Sequence, residues 1–198
     1  MSPTPVCPRL GRLAERLAAL AGWRRFWLAL GLGLLSSTAF APLWFLPALL
    51  PAFMGLAWMA AGATRGRSAF WLGWAFGFGH FLGGFYWVGI AMTVDLATFW
   101  WFLPISVGGL AAGMALYVAL AVWLAHRSRL RGGPWVLVFA ALWLLAEWFR
   151  SFVLTGFPWN QLGQVWAFAP ETLQLASLTG IWGLTLLTLL AAASPALL

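Results

Sequence analysis

The chain has no lysine, only four acidic residues, and a charged fraction of just 8%. A water-soluble domain carries roughly 25% charged residues, so these 198 residues could not clothe a water-facing surface and must be solvated by lipid. Cysteine is nearly absent too. The single Cys7 excludes an intramolecular disulfide and any multi-cysteine metal site. Too little chain precedes it for the apolar signal region that a lipid-accepting cysteine needs, and it reads as incidental. Polar side chains are too few to assemble a metal cluster, a phosphate loop or a nucleophile–histidine–carboxylate set, so no metal and no cofactor is expected.

What the chain does have is apolar and aromatic. Hydrophobic residues make up 63%, with 16 Trp and 16 Phe against 2 Tyr. Trp gathers at membrane–water boundaries, where its apolar ring and polar N–H are both accommodated. The net charge of +7 comes from arginine alone. In a soluble protein such an excess suggests nucleic acid; here the arginines fall in short connections, as expected of cytoplasmic loops, and no nucleic-acid partner is expected.

A helix needs about 20 apolar residues to cross the hydrocarbon core. Six runs qualify, near 25–41, 43–62, 68–92, 101–125, 134–153 and 174–194. The fold class is therefore an all-α integral membrane protein, a polytopic bundle of about six transmembrane helices forming one domain over 1–198. The opening stretch, with Arg9, Arg12 and Arg16 before an apolar run from about Trp27, has the outline of a signal peptide. It is not read as one, because a second apolar run follows instead of a polar mature domain.

Arg9, Arg12, Arg16, Arg24 and Arg25 precede the first run, Arg65 and Arg67 follow the second, and Arg127, Arg129 and Arg131 follow the fourth. These are alternate connections, which puts them on one side of the membrane, the cytoplasmic one by the positive-inside rule, with the N-terminus. Asp95 and Glu171 fall in the opposite connections. Three Gly-x-x-x-Gly pairs, Gly73/Gly77, Gly79/Gly83 and Gly109/Gly113, offer faces for close helix packing.

Ionisable groups within a span are costly and tend to be paired or functional. Glu147 and Arg150, three apart near the end of the fifth run, share a helix face. Two readings stand together: a local ion pair, or an arginine at headgroup depth whose guanidinium fork meets a lipid phosphate. Next comes Thr155-Gly156-Phe157-Pro158-Trp159-Asn160-Gln161, where Gly and Pro end the helix and Trp159 is placed as an interfacial anchor. Irregular backbone at this depth is tolerated when buried in protein or lining a cavity, so a substrate-facing loop and a re-entrant turn both fit. His80, inside the third run, is expected to hydrogen-bond between helices, and His126 to be solvated in a basic loop.

From Ala146 to Trp159 the sequence resembles apolipoprotein N-acyltransferases of bacteria, whose membrane domain carries a Glu-x-x-Arg-x-x-x-x-Thr-Gly-Phe-Pro-Trp signature; every defined position is met. Phe40-Ala41-Pro42, the span from Gly73 to Trp87 and Leu178-Thr179-Gly180-Ile181-Trp182-Gly183 are also similar, in collinear order. The resemblance implies an enzyme family that moves an acyl chain from a phospholipid donor to the N-terminal diacylglyceryl-cysteine of an apolipoprotein acceptor, in lipoprotein maturation at the inner membrane. It implies eight spans and an inserted periplasmic nitrilase-like domain, with a Glu-Lys-Cys triad that forms a thioester acyl-enzyme. Trp87, Glu147, Arg150, Phe157 and Trp159 would then form the substrate-binding surface.

The departures are as specific as the match. There is no lysine, and Cys7 lies before the first span, so two of the three triad roles are unfilled and no catalytic residue is assigned. The nitrilase-like domain and two spans are absent from these residues, which are expected to be the N-terminal membrane portion, truncated and inactive alone. Readings from other classes are a transporter fragment, which predicts inverted repeats or helices broken near the midplane, and a non-catalytic membrane scaffold using the glycine faces.

Overall fold

The computed structural model describes residues 8–153 and 156–198; Cys7 and Thr155 lie outside the described residues. Among them every regular element is helical: α1 (Pro8–Ala18), α2 (Gly22–Ser37), α3 (Leu49–Ala61), α4 (Gly66–Gly84), α5 (Tyr86–Met92), α6 (Leu96–Phe99), α7 (Leu103–Arg127), α8 (Gly133–Arg150), α9 (Pro170–Leu173) and α10 (Ala176–Ala193). Short 3-10 turns cover Leu46–Ala48, Thr93–Asp95, Leu162–Trp166 and Ser194–Leu197. With no water in the hydrocarbon core, a helix is the element that satisfies its own backbone.

The long helices run up and down between two ends. At one end the start of α2 meets the end of α3 and the start of α4, through Arg25 contacts to Gly62 and Ser68. The α3–α4 and α7–α8 connections share one cavity there, lined by Gly62, Thr64, His126, Arg129 and Arg131. The indole of Trp58 donates to the carbonyl of Ala196 at 2.9 Å, which brings the end of α10 to the same place. The arginine-bearing connections thus converge, as the alternation in sequence requires. The opposite end holds the Trp44–Phe168 contact, with ring centroids 5.5 Å apart, and the loop that follows α8.

Three helices are long and apolar enough to cross a membrane: Leu103–Arg127, Gly133–Arg150 and Ala176–Leu197. Gly66–Gly84 with Tyr86–Asp95 makes a fourth if that pair is one span, bent by 50°. The first two apolar runs fold shorter than read from sequence, as 16 residues in α2 and 13 in α3. At 1.5 Å per residue they fall short of a hydrocarbon core about 30 Å thick. Helix length therefore supports three or four crossings rather than establishing six.

The third run is not the unbroken helix that 68–92 suggested. It breaks at Gly84–Phe85, where the Asn160 side chain occupies the space a Cβ on Gly84 would fill. The break lies at the bundle's end rather than its midplane. The fifth run ends at Arg150, short of 153 and before Gly156 and Pro158, and the last bends at Gly180, whose φ is +66°.

Packing centres on α4, held between α2 and α7. A Cβ at Gly33 would meet the Phe76 carbonyl, and one at Gly79 the Leu30 carbonyl. Gly73 and Gly77 approach Ala119 and Val118 on α7. Two of the three glycine pairs are thus packing faces. Gly109 and Gly113 meet nothing within 4 Å. The core fills with Phe53, Phe76, Phe139 and Trp143, whose rings meet edge-on or tilted, as aromatic pairs prefer. His80 is fully buried, and its Nδ1 is 2.8 Å from Ser36 Oγ across the α2–α4 contact, the interhelical bond its position suggested. His126 belongs to the last turn of α7 and is half-buried, so it is not a freely solvated loop residue.

Candidate functional site

Helix α8 carries Glu147 and Arg150 to the end opposite the basic connections. Both are buried, at 4% and 2% exposure, yet among the described residues no salt bridge joins them. Each engages a different part of the chain. Glu147 Oε1 accepts from Trp143 Nε1 at 2.9 Å and from the Leu162 backbone N–H at 2.8 Å. Its Oε2 accepts from Thr185 Oγ1 at 2.9 Å. Thr185 in turn accepts the Gly163 N–H at 2.9 Å. One carboxylate thereby ties α8, the turn Leu162–Trp166 and α10 together.

Arg150 serves the loop. Nη1 donates to the carbonyls of Phe157 at 3.0 Å and Trp159 at 2.6 Å, and Nη2 to that of Asn160 at 3.0 Å. Its guanidinium also lies 5.2 Å from the Phe81 ring centroid, within cation–π range. The backbone of 156–160 turns sharply, with φ of +83° at Gly156 and +53° at Asn160. Such a stretch cannot satisfy its own carbonyls, and Arg150 supplies the missing donors. The cavity beside Glu147 and Arg150 is only about 10 Å³, room for one water at most. The local ion pair anticipated from the spacing is not formed, and the guanidinium fork faces backbone rather than open space.

Outside this buried staple lies an aromatic surface. Trp159 is 52% exposed and Trp87, at the start of α5, 39% exposed. Their ring centroids are 5.3 Å apart. Phe157 is half-buried and sets its ring perpendicular to that of Phe85 at 5.2 Å. The bend at Gly84 aims α5 so that Trp87 reaches Trp159. Of the five sequence-derived residues, Trp87, Phe157 and Trp159 form the outer layer and Glu147 and Arg150 the layer that holds it.

Trp143, Thr185 and Ser36 were not singled out from sequence. Trp143 sits one turn before Glu147 and could have been found by that spacing; Thr185, 38 residues away, offers no local signal. Gln161 is an uncharged donor and acceptor in an otherwise apolar neighbourhood. It caps the turn Leu162–Trp166 reciprocally with Gln164, and its amide donates to Ser151 Oγ at 3.3 Å. Asn160 is buried, with its amide nitrogen unpartnered among the described residues. No group of three metal-ligating side chains occurs among them.

Residues 32–194 match the family described as apolipoprotein N-acyltransferase N-terminal domain. Curated proteins named apolipoprotein N-acyltransferase are similar over most of the chain. The one from Allorhizobium ampelinum is 40% identical over 196 residues, covering 94% of this chain and 37% of the relative. That from Rhodopseudomonas palustris is 40% identical over 194 residues, 96% and 36%. That from Caulobacter vibrioides is 42% identical over 189 residues, 89% and 35%. The chain spans little more than a third of the length of these relatives.

Proposed function

The chain belongs to the apolipoprotein N-acyltransferase family, and from that premise we propose that it forms the membrane-embedded substrate-receiving part of such an enzyme. Its partners in this reading are a phospholipid that donates an acyl chain and a lipoprotein whose diacylglyceryl-cysteine accepts it. Trp87, Phe157 and Trp159 contact the acyl chains, while Glu147 and Arg150 position the loop that carries two of them. The family's transfer is implied to use a Cys nucleophile with Glu and Lys partners; this chain has no lysine, and its one cysteine precedes the first apolar run. The chain alone therefore binds without turning over.

The bundle sits in the bacterial inner membrane with six crossings. The arginine-bearing end and the N-terminus face the cytoplasm, and the Trp87–Trp159 surface faces the outer leaflet. The gathering of ten arginines (positions 9, 12, 16, 24, 25, 65, 67, 127, 129 and 131) in connections that converge at one end supports this orientation. The two short helices are accommodated by local thinning of the bilayer or by flanking 3-10 turns.

One observation carries the reading: an exposed Trp on a loop whose carbonyls are fixed by a buried arginine. Exposed aromatic rings need an apolar neighbour, and a fixed loop meets it without a further ordering cost. Binding of a diacylated cysteinyl peptide to the purified chain in nanodiscs, followed by Trp fluorescence, is the test. Trp87→Ala/Trp159→Ala is expected to weaken binding by about tenfold or more, on the scale of one to two lost aromatic contacts. Unchanged affinity in that folded variant removes the reading.

A further inference from the structure

A second buried arginine lies at the other end of the bundle. Arg25, in the first turn of α2, is 6% exposed. Its Nη1 donates to Ser68 Oγ at 2.8 Å and its Nη2 to the carbonyls of Gly62 at 3.1 Å and Ala18 at 3.3 Å. Its Nε has no partner among the described residues. A buried charge needs an opposite charge or full hydrogen bonding, and no carboxylate provides one here. Of the four acidic residues, Glu147 is bonded at the far end, Asp95 and Glu171 lie in other connections, and Glu15 is exposed on α1.

Arg25 lines an open groove of about 600 Å³ together with Trp23, Arg67, Ser68, Trp71 and Trp74. Helices α2 and α4 both begin at this groove. Neither has an acidic residue in its first turn or a side-chain N-cap, so both positive dipole ends are unopposed there. The walls are indoles: Trp23 and Trp71 are exposed, and Trp71 meets Trp74 edge-on at 5.7 Å. A cationic floor with indole walls, at the end of a membrane bundle, suits a lipid headgroup: phosphate on the arginines, glycerol and upper acyl chain along the rings.

We propose that this groove binds the phosphate of an anionic phospholipid from the leaflet at the basic end, at a site distinct from the Trp87–Trp159 surface. Arg67, exposed on the groove's edge, meets the phosphate directly, and Arg25 with the two helix N-termini supplies the positive field behind it. A zwitterionic lipid would bring its ammonium into the same field and is disfavoured. The site does not depend on acyl transfer.

The test is a native mass-spectrometric titration of the detergent-purified chain with phosphatidylglycerol and, separately, phosphatidylethanolamine. The wild type is expected to retain phosphatidylglycerol preferentially. Arg67→Gln is expected to weaken that retention about fivefold, the scale of one arginine at a lipid surface, with phosphatidylethanolamine retention and lipid-free thermal unfolding unchanged. Equal retention of both lipids by the wild type, or an undiminished preference in Arg67→Gln, overturns the proposal. Displacement of phosphatidylglycerol by soluble glycerol phosphate overturns the lipid as occupant. Should Arg67→Gln not fold, Trp71→Ala keeps every arginine and tests the same groove: weaker retention of phosphatidylglycerol supports the site, and unchanged retention removes it.

Discussion

Arg150 and Arg25 are both buried arginines that hold backbone carbonyls, at opposite ends of one bundle, yet they differ in what surrounds them. Arg150 has both terminal nitrogens on the carbonyls of one loop, an aromatic ring beneath it and Glu147 three residues away. Arg25 ties three separate elements with its terminal nitrogens, has no carboxylate near it in sequence and borders an open groove. The first is closed and shapes the chain. The second has no carboxylate to balance it and opens on a groove of about 600 Å³. Buried charge alone does not mark a site; unspent charge beside open space does.

The sharpest way to break this contrast is Arg150→Ala. It strips the Phe157, Trp159 and Asn160 carbonyls of their donor and leaves Glu147 as the one buried charge nearby. Each buried carbonyl left without its donor costs about 1–3 kcal/mol, and three lose theirs here. The expected result is a large fall in thermal unfolding midpoint in detergent, with new proteolytic cleavage between 151 and 161. Arg150→Lys should recover only part of the loss, since one ammonium cannot reproduce a planar fork spanning three carbonyls. A full rescue by lysine would mean that charge, not geometry, holds the loop.

Next in size is the α2–α4 contact that joins the two ends. Gly33→Ala drives a Cβ into the Phe76 carbonyl and the His80 backbone N. Overpacking of this kind costs about 1–3 kcal/mol, and because backbone is the obstacle, a rotamer change cannot relieve it. The same variant should weaken the Ser36–His80 bond. Both would register as a lowered unfolding midpoint. A neutral Gly33→Ala would show that the helices separate easily and that the ends are less firmly coupled than drawn here.

Glu147→Gln is expected to cost less than Arg150→Ala, about 1–3 kcal/mol. The amide keeps one acceptor oxygen but turns an N–H₂ toward Trp143 and Leu162 or toward Thr185, whichever side it occupies. Of these donors only the Thr185 hydroxyl can rotate to accept, so the N–H₂ turns toward Thr185 and the Trp143 bond passes from a charged to a neutral acceptor, a coupling with Trp143→Phe measurable by a double-mutant cycle. Independent effects would deny that the carboxylate acts as one hub.

Much of this was legible in the sequence, because it depended on local pattern. The apolar runs became helices in the same order, the third as a bent pair and the first two too short to span by length, and the arginines of alternate connections met at one end. His80 found a partner on a neighbouring helix. After α8, residues 156–161 fold around bonds from Arg150 and the Gln161–Gln164 cap. What escaped was long-range. Thr185 and Leu162 bind Glu147 across 38 and 15 residues, and no spacing rule links them. At the Gly84 bend the Asn160 side chain, far along the chain, fills the space beside a glycine. Arg25 is one of five arginines placed at the head of the first run by sequence, and it is the one of the five that the fold buries. The amphipathic α1 could have been read, since Arg9, Arg12 and Arg16 share a spacing with Leu10, Leu13 and Leu17 that separates two helix faces.

The smallest expected effect uses a pair of glycines that look alike in sequence. Gly77 and Gly113 each end a Gly-x-x-x-Gly pair, on α4 and α7 respectively. A Cβ at Gly77 would press on Val118 and Ala115 with side-chain and backbone contacts of 2.8 to 3.1 Å, whereas one at Gly113 meets nothing within 4 Å. Gly77→Ala should therefore destabilise by about 1 kcal/mol or more through overpacking. Gly113→Ala should stabilise by roughly 0.5 kcal/mol, because the helix gains alanine's propensity at no steric cost. Thermal unfolding of both variants in the same detergent reads the sign directly. If Gly113→Ala destabilises as Gly77→Ala does, that face of α7 is covered by something the isolated bundle does not contain, since within the bundle no atom lies close enough to resist the added methyl.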